Sequence, residues 1–384
     1  MTKIVNQKIV VAMSGGVDSS VAASMLKEQG FDVIGIFLKF WHEPKCADAR
    51  ENICCSKEAA DSARAVADKL KIPFYVLDAS KEFKREVVDY YIKEYDSGRT
   101  PNPCVMCNKF IKFGWLINKA KELGANFLAT GHYARLQREF SISNFQFPKN
   151  SQISNNKFQM KLLKGKDRKK DQSYFLWQLN KDQLKHVLFP VGDCTKEEVR
   201  KLARKFNLPT AEKKESQNVC FVPDGNNQFF LKRHTNKLVE SGNIVDLNGN
   251  ILGTHKGLIG YTVGQRHGLE GVQLVSLTSG FRKVYVIKLN VDKNELVVGD
   301  EQNLYKNELI AGNINLINPR AAYQSGITAK IRYGCLESKC KISKMAPDKI
   351  KIIFDHPQRA ITPGQSIVFY KKDELIGGGI ISAS

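Results

Sequence analysis

The chain has 384 residues, of which 42% are hydrophobic, so it is long enough for two or three domains with buried cores. Lysine and arginine number 59 against 39 aspartates and glutamates, and the formal net charge at pH 7 is +20. Basic residues occur along the whole length, which favours a polyanionic partner, nucleic acid ahead of membrane, over a merely solvated basic surface. No apolar run approaches the roughly 20 residues that a membrane-spanning helix needs.

The N-terminal sequence "MTKIVNQKIVVAMSGG" leads directly into a predicted strand and shows no signal-peptide pattern. We therefore expect a cytoplasmic protein that does not bind a membrane. In that compartment, the nine cysteines are expected to be reduced, catalytic or metal-binding rather than a disulfide framework.

The stretch "IVVAMSGGVDSSVAASML" combines a short β-branched run, Ile9 to Met13, with a glycine turn and a helical pattern. Backbone N–H groups at such a helix start bind phosphate, and no Gly-Lys-Ser/Thr follows, so this is not a Walker loop. Ser19 and Ser20 are expected to contact phosphate oxygens or to cap the helix. Asp18 is predicted to be a ligand of the Mg²⁺ that accompanies a triphosphate.

From Ile4 to about Asn218, strands alternate with helical stretches. The predicted strands are "FDVIGIFLKFW", "PFYVLDA" and "ANFLATGHYA", and the predicted helices are "SKEAADSARAVADKLKI" and "KFIKFGWLINKAKELG". This alternation predicts an α/β domain with a parallel sheet covered on both faces by helices. Its active site is expected at the carboxyl ends of the strands.

The remaining chain has a different texture. Short strands and glycine turns, including "NGN" between alternating residues, predict a small central β domain, and the strands after it predict a closed β-barrel. The predicted domains are residues 1–218, 219–292 and 293–384. The polar, aperiodic segment "SISNFQFPKNSQISNNKF" inside the first domain is interpreted as an exposed insertion or hairpin loop, of unassigned function, within residues 139–156 and just beyond.

Cysteines stand in two distinctive contexts. Cys104 and Cys107 form a Cys-x-x-Cys spacing in "GRTPNPCVMCNKFIKF", where Lys109 and Lys112 would lower a thiol pKa. Cys220 lies beside lysines in "EKKESQNVCFVPDG". Ordinary packing or surface positions are expected for the other cysteines considered: Cys46, Cys194, Cys335 and Cys340.

The residues "SGGVDSS" resemble the PP-loop of the ATP pyrophosphatases, an adenine nucleotide alpha hydrolase-like fold. That resemblance implies cleavage between the α- and β-phosphates and transfer of AMP to a carbonyl oxygen. The loop alone leaves GMP synthetase, argininosuccinate synthetase and lysidine synthetase open. Over nearly the whole chain, however, the sequence resembles the tRNA-specific 2-thiouridylases, through "AMSGGVDSSVAA", "GRTPNPCVMCNKFIKF", "ATGHYAR", "KDQSYFLWQL", "LFPVGDCTKEEVRKLA", "SQNVCFVP", "GTHKGLIGYTVGQRHGL", "KIRYG" and "TPGQSIVFY".

The resemblance implies that ATP adenylates the C2 carbonyl of the wobble uridine and that a persulfide sulfur then displaces AMP, giving 2-thiouridine. By motif, Cys220 is expected to carry the persulfide. Cys107 is expected to be the nucleophile that attacks it or forms a disulfide with Cys220. ATP contacts are expected at Ala12, Met13, Ser14, Gly15, Gly16, Val17, Asp18, Ser19, Leu38 and Gly131.

The same resemblance implies a set of tRNA contacts. Asn102, Pro103 and Cys104 are expected to hold the flipped-out target base. Further contacts with tRNA are expected at His132, Lys170, Asp171, Gln172, Arg332, Tyr333 and Gln365. The implied partners are lysine, glutamate and glutamine tRNAs and a sulfur donor such as a cysteine desulfurase or a sulfur-relay protein.

Cys104 is a departure from the family pattern, because some members have an aspartate with an acid–base role at this position. Related thiolases hold an iron–sulfur cluster with a Cys-x-x-Cys pair and a third cysteine, so Cys104, Cys107 and Cys220 could ligate a [4Fe-4S] cluster. Two rival functions remain open at this point. One is a PP-loop enzyme with a small substrate, and the other is a tRNA-binding protein with an inactive nucleotide loop.

Overall fold

The structure is a computed structural model that describes residues 7–43, 56–138, 160–213, 219–222, 225–269 and 283–382. The chain forms two compact units, one of residues 1–86, 104–223 and 373–375, the other of residues 87–103, 224–372 and 376–384. The predicted domain boundaries after residues 218 and 292 stay predictions. Within the described ranges, no helix is long and apolar enough to cross a membrane.

Strands make up most of the regular structure. They are β1 (Lys8–Ala12), β2 (Asp32–Lys39), β3 (Phe74–Asp78), β4 (Phe127–Ala129), β5 (Ala134–Arg138), β6 (Met160–Lys164), β7 (Val187–Leu188), β8 (Gly242–Val245), β9 (Ile251–His255), β10 (Tyr285–Asn290), β11 (Glu295–Gly299), β12 (Tyr305–Leu316), β13 (Thr328–Lys330), β14 (Ser338–Ala346), β15 (Lys349–Arg359), β16 (Ser366–Lys371) and β17 (Glu374–Ile381).

The helices lie mostly in the first unit. The α-helices are α1 (Val17–Glu28), α2 (Lys57–Leu70), α3 (Ser80–Phe83), α4 (Asp89–Tyr95), α5 (Pro103–Met106), α6 (Leu116–Glu122), α7 (Lys181–Lys185), α8 (Lys196–Lys205), α9 (Asn227–His234) and α10 (Pro319–Ala322). Two π-helices span Lys84–Val88 and Cys107–Trp115.

The first unit is built on a five-stranded parallel sheet with the strand order β3-β2-β1-β4-β7. The predicted parallel α/β domain is therefore confirmed. Strands β2 and β3 extend the sheet to one side of β1, and β4 and β7 extend it to the other. This reversal creates a switch point between β1 and β4, where the crevice at the carboxyl ends of the strands is the usual ligand site of such sheets.

Burial on both faces explains why these segments become central strands. Ile9, Val10 and Val11 are each 0% exposed, so β1 has no solvent-facing side. Alternate residues of β1 join one core with the apolar faces of α1, α2 and α8. Helix α6 packs against β4.

The predicted single helix over residues 109–124 differs from the structure. The segment is a π-helix over Cys107–Trp115 that continues as α6. Glycine at position 114 avoids a clash in this wider helix. A Cβ atom there would lie only 2.9 Å from the carbonyl oxygen of Lys109, five residues earlier. The hydrophobic pattern indicated a helix correctly but did not reveal its pitch.

The second unit contains two all-β sheets. Strands β8 to β11 form a four-stranded sheet with the order β10-β11-β8-β9, and β8 pairs antiparallel with β9 across the "NGN" segment, which confirms the predicted hairpin. Strands β12 to β17 run in the order β12-β15-β14-β13-β16-β17, and β12 also pairs with β17. This closure confirms the predicted C-terminal barrel. Strand β13 ends at Lys330, earlier than the predicted strand "KIRYG".

The predicted insertion lies almost wholly in residues 139–159, outside the described residues. The strands on either side of it, β5 and β6, pair antiparallel from Ala134 opposite Lys164 to Arg138 opposite Met160. The segment therefore connects the two strands of a hairpin.

Gly15 offers a test of the turn between β1 and α1. Its φ is +72°, and a Cβ atom there would overlap the carbonyl oxygen of Ala59 in α2. We expect Gly15→Ala to destabilise the protein by about 2 kcal/mol or more, because backbone strain and a backbone clash add. The matched control is Gly312→Ala, where the nearest backbone atom is 3.5 Å away. Equal thermal unfolding midpoints for the two variants would contradict this packing.

Candidate active site

The turn after β1 leaves the start of α1 open toward the carboxyl edge of the sheet. Gly16 is the N-cap residue and has no side chain to accept the N–H groups of the first turn. The serines bond elsewhere: the Ser14 N–H donates to Ser19 Oγ at 3.1 Å, and the Ser20 hydroxyl donates to the Gly16 carbonyl at 2.8 Å. The hydroxyls thus close the turn and do not cap the helix, so the first N–H groups are positioned for an anion.

The turn after β4 lies against the first turn of α1. A Cβ atom on Gly131 would be 2.7 Å from the Ser19 nitrogen and 2.8 Å from the Asp18 carbonyl carbon. Only glycine permits this approach. Leu38, near the end of β2, is 8% exposed. The predicted ATP contacts therefore lie at or just beyond the carboxyl ends of β1, β2 and β4, at one edge of the sheet.

Asp18 makes two strong contacts that the sequence analysis did not anticipate. The Tyr133 hydroxyl donates to Asp18 Oδ1 at 2.7 Å, and Lys196 Nζ donates to both carboxylate oxygens at 2.8 and 2.9 Å. The Lys196 side chain is 12% exposed and that of Asp18 is 29% exposed. Tyr133 belongs to the motif "ATGHYAR" and Lys196 to "LFPVGDCTKEEVRKLA". Both motifs carry the family resemblance, but the sequence alone did not assign a role to either residue.

The two cysteines of the Cys-x-x-Cys pair differ in exposure. Cys104 is exposed, whereas Cys107, the first residue of the π-helix, is 7% exposed. Partial burial lowers the pKa of the Lys109 ammonium, which follows Cys107 by two residues. A π-helix inside an α-helix is a frequent feature of functional sites.

Aromatic packing holds the segment that carries Cys220. Phe221, the next residue, packs edge-on against Phe83 with a centroid distance of 5.8 Å. Phe83 stacks on Phe40, which follows β2, at 4.5 Å. Since α3 ends at Phe83 and packs against the π-helix that begins at Cys107, the same short helix supports the elements carrying both cysteines. Cys220 itself is half-buried.

The predicted iron–sulfur ligands do not assemble in the structure. Over the described ranges, no three histidine, cysteine, aspartate or glutamate side chains come together as a possible metal site. Cys104, Cys107 and Cys220 therefore do not fit a cluster in this arrangement.

His132 is placed in the interior and not on a surface open to RNA. It is 9% exposed, bonds Thr130 Oγ1 through Nδ1 at 2.8 Å, and packs against the rings of Phe113 and Phe189. Burial, reinforced by the positive charge of Lys112, holds the pKa of His132 well below its usual value. The imidazole is thus neutral, and its predicted tRNA contact stays a prediction that would require exposure of the ring.

Two of the three residues in the "KDQ" motif use their side chains within the fold. Asp171 is 4% exposed and accepts hydrogen bonds from the Gly165 and Ser173 N–H groups. Gln172 Oε1 accepts from the Tyr133 N–H at 3.0 Å. Lys170 is partly exposed. A tRNA contact at these positions stays a prediction, and Lys170 is the residue best suited to a phosphate.

In the second unit, the loop before Asn102 is held by the barrel. Gln365 Nε2 donates to the Thr100 carbonyl at 2.8 Å, and the Thr100 N–H donates to the Pro363 carbonyl at 2.9 Å. Gly364 lies so close that a Cβ atom would be 2.9 Å from the Thr100 nitrogen. Gln365 therefore positions the backbone of the predicted base-binding loop, and its predicted contact with tRNA stays a prediction.

Arg332 and Tyr333 lie in the turn after β13. The Arg332 guanidinium donates to the Arg359 carbonyl at 3.0 Å, and Tyr333 is 43% exposed. An exposed tyrosine beside an arginine is suited to stacking and phosphate contact.

The cysteines expected to be ordinary packing residues have that character where they are described; Cys46 lies outside the described residues. Burial raises the pKa of the Cys340 thiol to about 12 and also raises the pKa of Cys194. The Cys335 thiol donates to the Arg332 carbonyl at 3.0 Å. A raised pKa lowers the thiolate fraction of Cys194 and Cys340, and the thiolate is the reactive form.

An uncapped helix start at the switch point of a parallel sheet is typical of nucleotide-binding α/β proteins, and here it is followed in the chain by a four-stranded β-sheet and a closed β-barrel. Family models match accordingly: a tRNA methyl transferase HUP domain over residues 7–224, a tRNA methyl transferase PRC-barrel domain over 228–300, and an aminomethyltransferase β-barrel domain over 306–381. Together with the relatives described next, these matches show that the chain belongs to the tRNA-specific 2-thiouridylase family.

Three relatives illustrate the similarity. The tRNA-specific 2-thiouridylase MnmA of Clostridium perfringens is 45% identical over 384 residues, which cover 100% of this chain and 99% of the relative. The tRNA-specific 2-thiouridylase MnmA 1 of Caldanaerobacter subterraneus is 47% identical and covers 98% of each chain. That of Carboxydothermus hydrogenoformans is 44% identical and covers 99% of each chain.

His132 gives a pH-dependent prediction. The folded state keeps the imidazole neutral, whereas the unfolded chain takes up a proton near pH 6.5, so stability falls as the pH is lowered through that value, by about 1.4 kcal/mol per unit below it. We expect His132→Asn to lower the melting temperature at pH 7.5 by more than at pH 5.5. The control is Val199→Ala, at a buried aliphatic position of α8 that carries no titratable group, so its effect on the melting temperature should be the same at both pH values. A His132→Asn effect that grows at low pH would contradict a neutral, buried imidazole.

Proposed function

We propose that this protein is an ATP-dependent tRNA uridine 2-sulfurtransferase that converts the wobble uridine at position 34 to 2-thiouridine. The observation that carries the proposal is the full-length similarity to 2-thiouridylases, at 45% identity over 100% of the chain. The local geometry agrees, since the first turn of α1 lies uncapped at the carboxyl edge of a parallel sheet.

In the first step, the C2 oxygen of uridine attacks the α-phosphorus of ATP and pyrophosphate leaves. The N–H groups at the start of α1 would bind phosphate oxygens, and Gly131 keeps the adjacent turn close. The Asp18 carboxylate fits a Mg²⁺ ion bound with the triphosphate, and that ion would supply charge compensation. Asp18 must then exchange its present contact with Lys196.

In the second step, the terminal sulfur of a persulfide on Cys220 attacks C2, and AMP leaves with the former uridine oxygen. Cys107 attacks the Cys220 sulfur, so that the S–S bond of the persulfide breaks as a Cys107–Cys220 disulfide forms. An external thiol reductant must then restore both cysteines. In the alternative, Cys107 attacks the persulfide first and releases the sulfur as hydrosulfide, which attacks C2.

The charge of the chain supports a tRNA substrate. A net charge of +20 suits a polyanion, and the exposed Tyr333 beside Arg332 is suited to an unpaired base next to a phosphate. We further propose that lysine, glutamate and glutamine tRNAs are the substrates, that a cysteine desulfurase or sulfur-relay protein loads Cys220, and that the reaction takes place in the cytoplasm.

The names of two matched family models mention methyl transfer, and this supplies the alternative. The paired cysteine motifs favour thiolation, because a persulfide mechanism needs two thiols. The nucleotide loop favours it too, because methyl transfer to uridine does not need ATP cleavage. Mass spectrometry of nucleosides from treated tRNA separates the two products, since sulfur-for-oxygen exchange and methylation give different masses. A methylated uridine would overturn the proposal.

Substitution of the two cysteines should separate adenylation from sulfur transfer. We expect Cys107→Ser and Cys220→Ser to lose 2-thiouridine formation by at least about 100-fold, yet to release pyrophosphate in the presence of tRNA, because the nucleotide loop is intact. Cys194→Ser, at a half-buried thiol of high pKa, is the control and should retain both activities. Full thiolation by Cys220→Ser would exclude it as the persulfide carrier.

Binding of unmodified tRNA should weaken steeply with salt, because each phosphate contact releases counterions. We expect Arg332→Ala to weaken binding and to reduce the slope of log affinity against log salt by roughly one contact. The control is Arg204→Ala, which removes an exposed arginine that pairs with Glu212. A salt-independent affinity would instead favour an enzyme with a small-molecule substrate.

A further inference from the structure

Lys196 stands where a helix least favours a positive charge. It is the first residue of α8, directly after the Thr195 N-cap, and the first turn of a helix carries partial positive charge. The rest of that turn follows the usual preference, with Glu197 and Glu198 and a capping box between Thr195 and Glu198. A lysine at this position therefore opposes the usual preference for acidic residues in the first turn of a helix. Such exceptions are expected mainly at functional residues.

Its ion pair with Asp18 is also poorly explained as a stability device. The Lys196 side chain is mostly buried, and its ammonium contacts both oxygens of a partly buried carboxylate 178 residues away in the chain. Desolvation of two charges offsets most of their attraction, so a hydrophobic pair would usually serve stability as well. The backbone N–H of Lys196 is used separately, by Asp167 Oδ2 at 3.0 Å.

The position of this ammonium relative to the nucleotide loop suggests its role. Asp18 is the second residue of α1, so Lys196 Nζ, at 2.8 Å from its carboxylate, lies beside the first turn where the N–H groups point outward. Tyr133 donates to the same carboxylate, at Oδ1, and its ring centroid is 5.8 Å from the ammonium. A cation and a helix start thus converge on one small region.

We propose that Lys196 binds the β- and γ-phosphates of ATP and then the departing pyrophosphate, and that Asp18 holds it in place until the nucleotide arrives. Binding of magnesium–ATP exchanges partners: the phosphates take the ammonium, and the carboxylate turns to the metal ion. The exchange conserves charge pairing, because the Asp18–Lys196 pair becomes two new opposite-charge pairs. This inference rests on the proposed use of ATP and adds a residue that contacts its leaving group.

The test measures nucleotide binding by calorimetry, without turnover. We expect Lys196→Ala to weaken ATP and inorganic pyrophosphate about 10-fold or more, the loss typical of a charge-assisted hydrogen bond, and to leave AMP within about twofold. Lys196→Arg should retain most of the affinity for ATP. The matched control is Lys205→Ala, which removes the exposed lysine at the other end of α8.

A double mutant distinguishes two roles of Lys196: direct contact with the ATP phosphates, and mere neutralisation of the Asp18 charge. In EDTA, where no Mg²⁺ competes, Asp18→Asn should bind ATP at least as well as the parent protein. The double variant Asp18→Asn/Lys196→Ala should then bind ATP about 10-fold more weakly than Asp18→Asn alone. Equal ATP affinity of these two variants, or an equal loss of AMP and ATP in Lys196→Ala, would overturn the role of Lys196. If the parent protein bound no ATP when Mg²⁺ was present, the proposed function would fail as well.

Discussion

The nucleotide site of this protein depends on one close approach, that of the turn after β4 to the first turn of α1. Gly131 permits it, because any side chain would meet the backbone of Asp18 and Ser19. The approach occurs at the switch point between β1 and β4, where a parallel sheet leaves a crevice. The uncapped helix start, the Asp18 carboxylate and the Lys196 ammonium then share one region, which we propose binds the triphosphate and its leaving group.

Aromatic packing connects the elements that carry the two proposed sulfur-transfer cysteines to the same parallel sheet. Phe40 follows β2 and stacks on Phe83 of α3, and Phe83 in turn packs against Phe221 beside Cys220. Because α3 also contacts the π-helix that begins at Cys107, a displacement of α3 would affect both cysteine-bearing elements. The aromatic contacts thus couple the positions of the two proposed sulfur-transfer residues to the strands that position the nucleotide.

The sequence predicted what depends on local pattern. The buried run from Ile9, the glycine turn and the alternation of strands and helices specify a parallel sheet, and the closed barrel followed from short strands and turns. It did not predict what depends on long-range or subtle geometry. The Asp18–Lys196 pair joins residues 178 apart, the burial of His132 requires Phe113 and Phe189, and the π-helix shares an apolar pattern with an ordinary helix over nine residues.

Adenylation of the C2 oxygen of the wobble uridine is the step on which the proposed reaction depends. Its most direct test is a single turnover with tRNA that carries ¹⁸O at the C2 carbonyl of the wobble uridine, followed by mass spectrometry of the AMP. Adenylation requires that the C–O bond break when sulfur attacks, so that the label leaves with AMP. We expect labelled AMP in the same amount as 2-thiouridine. Thiolated tRNA accompanied by unlabelled AMP would contradict the account.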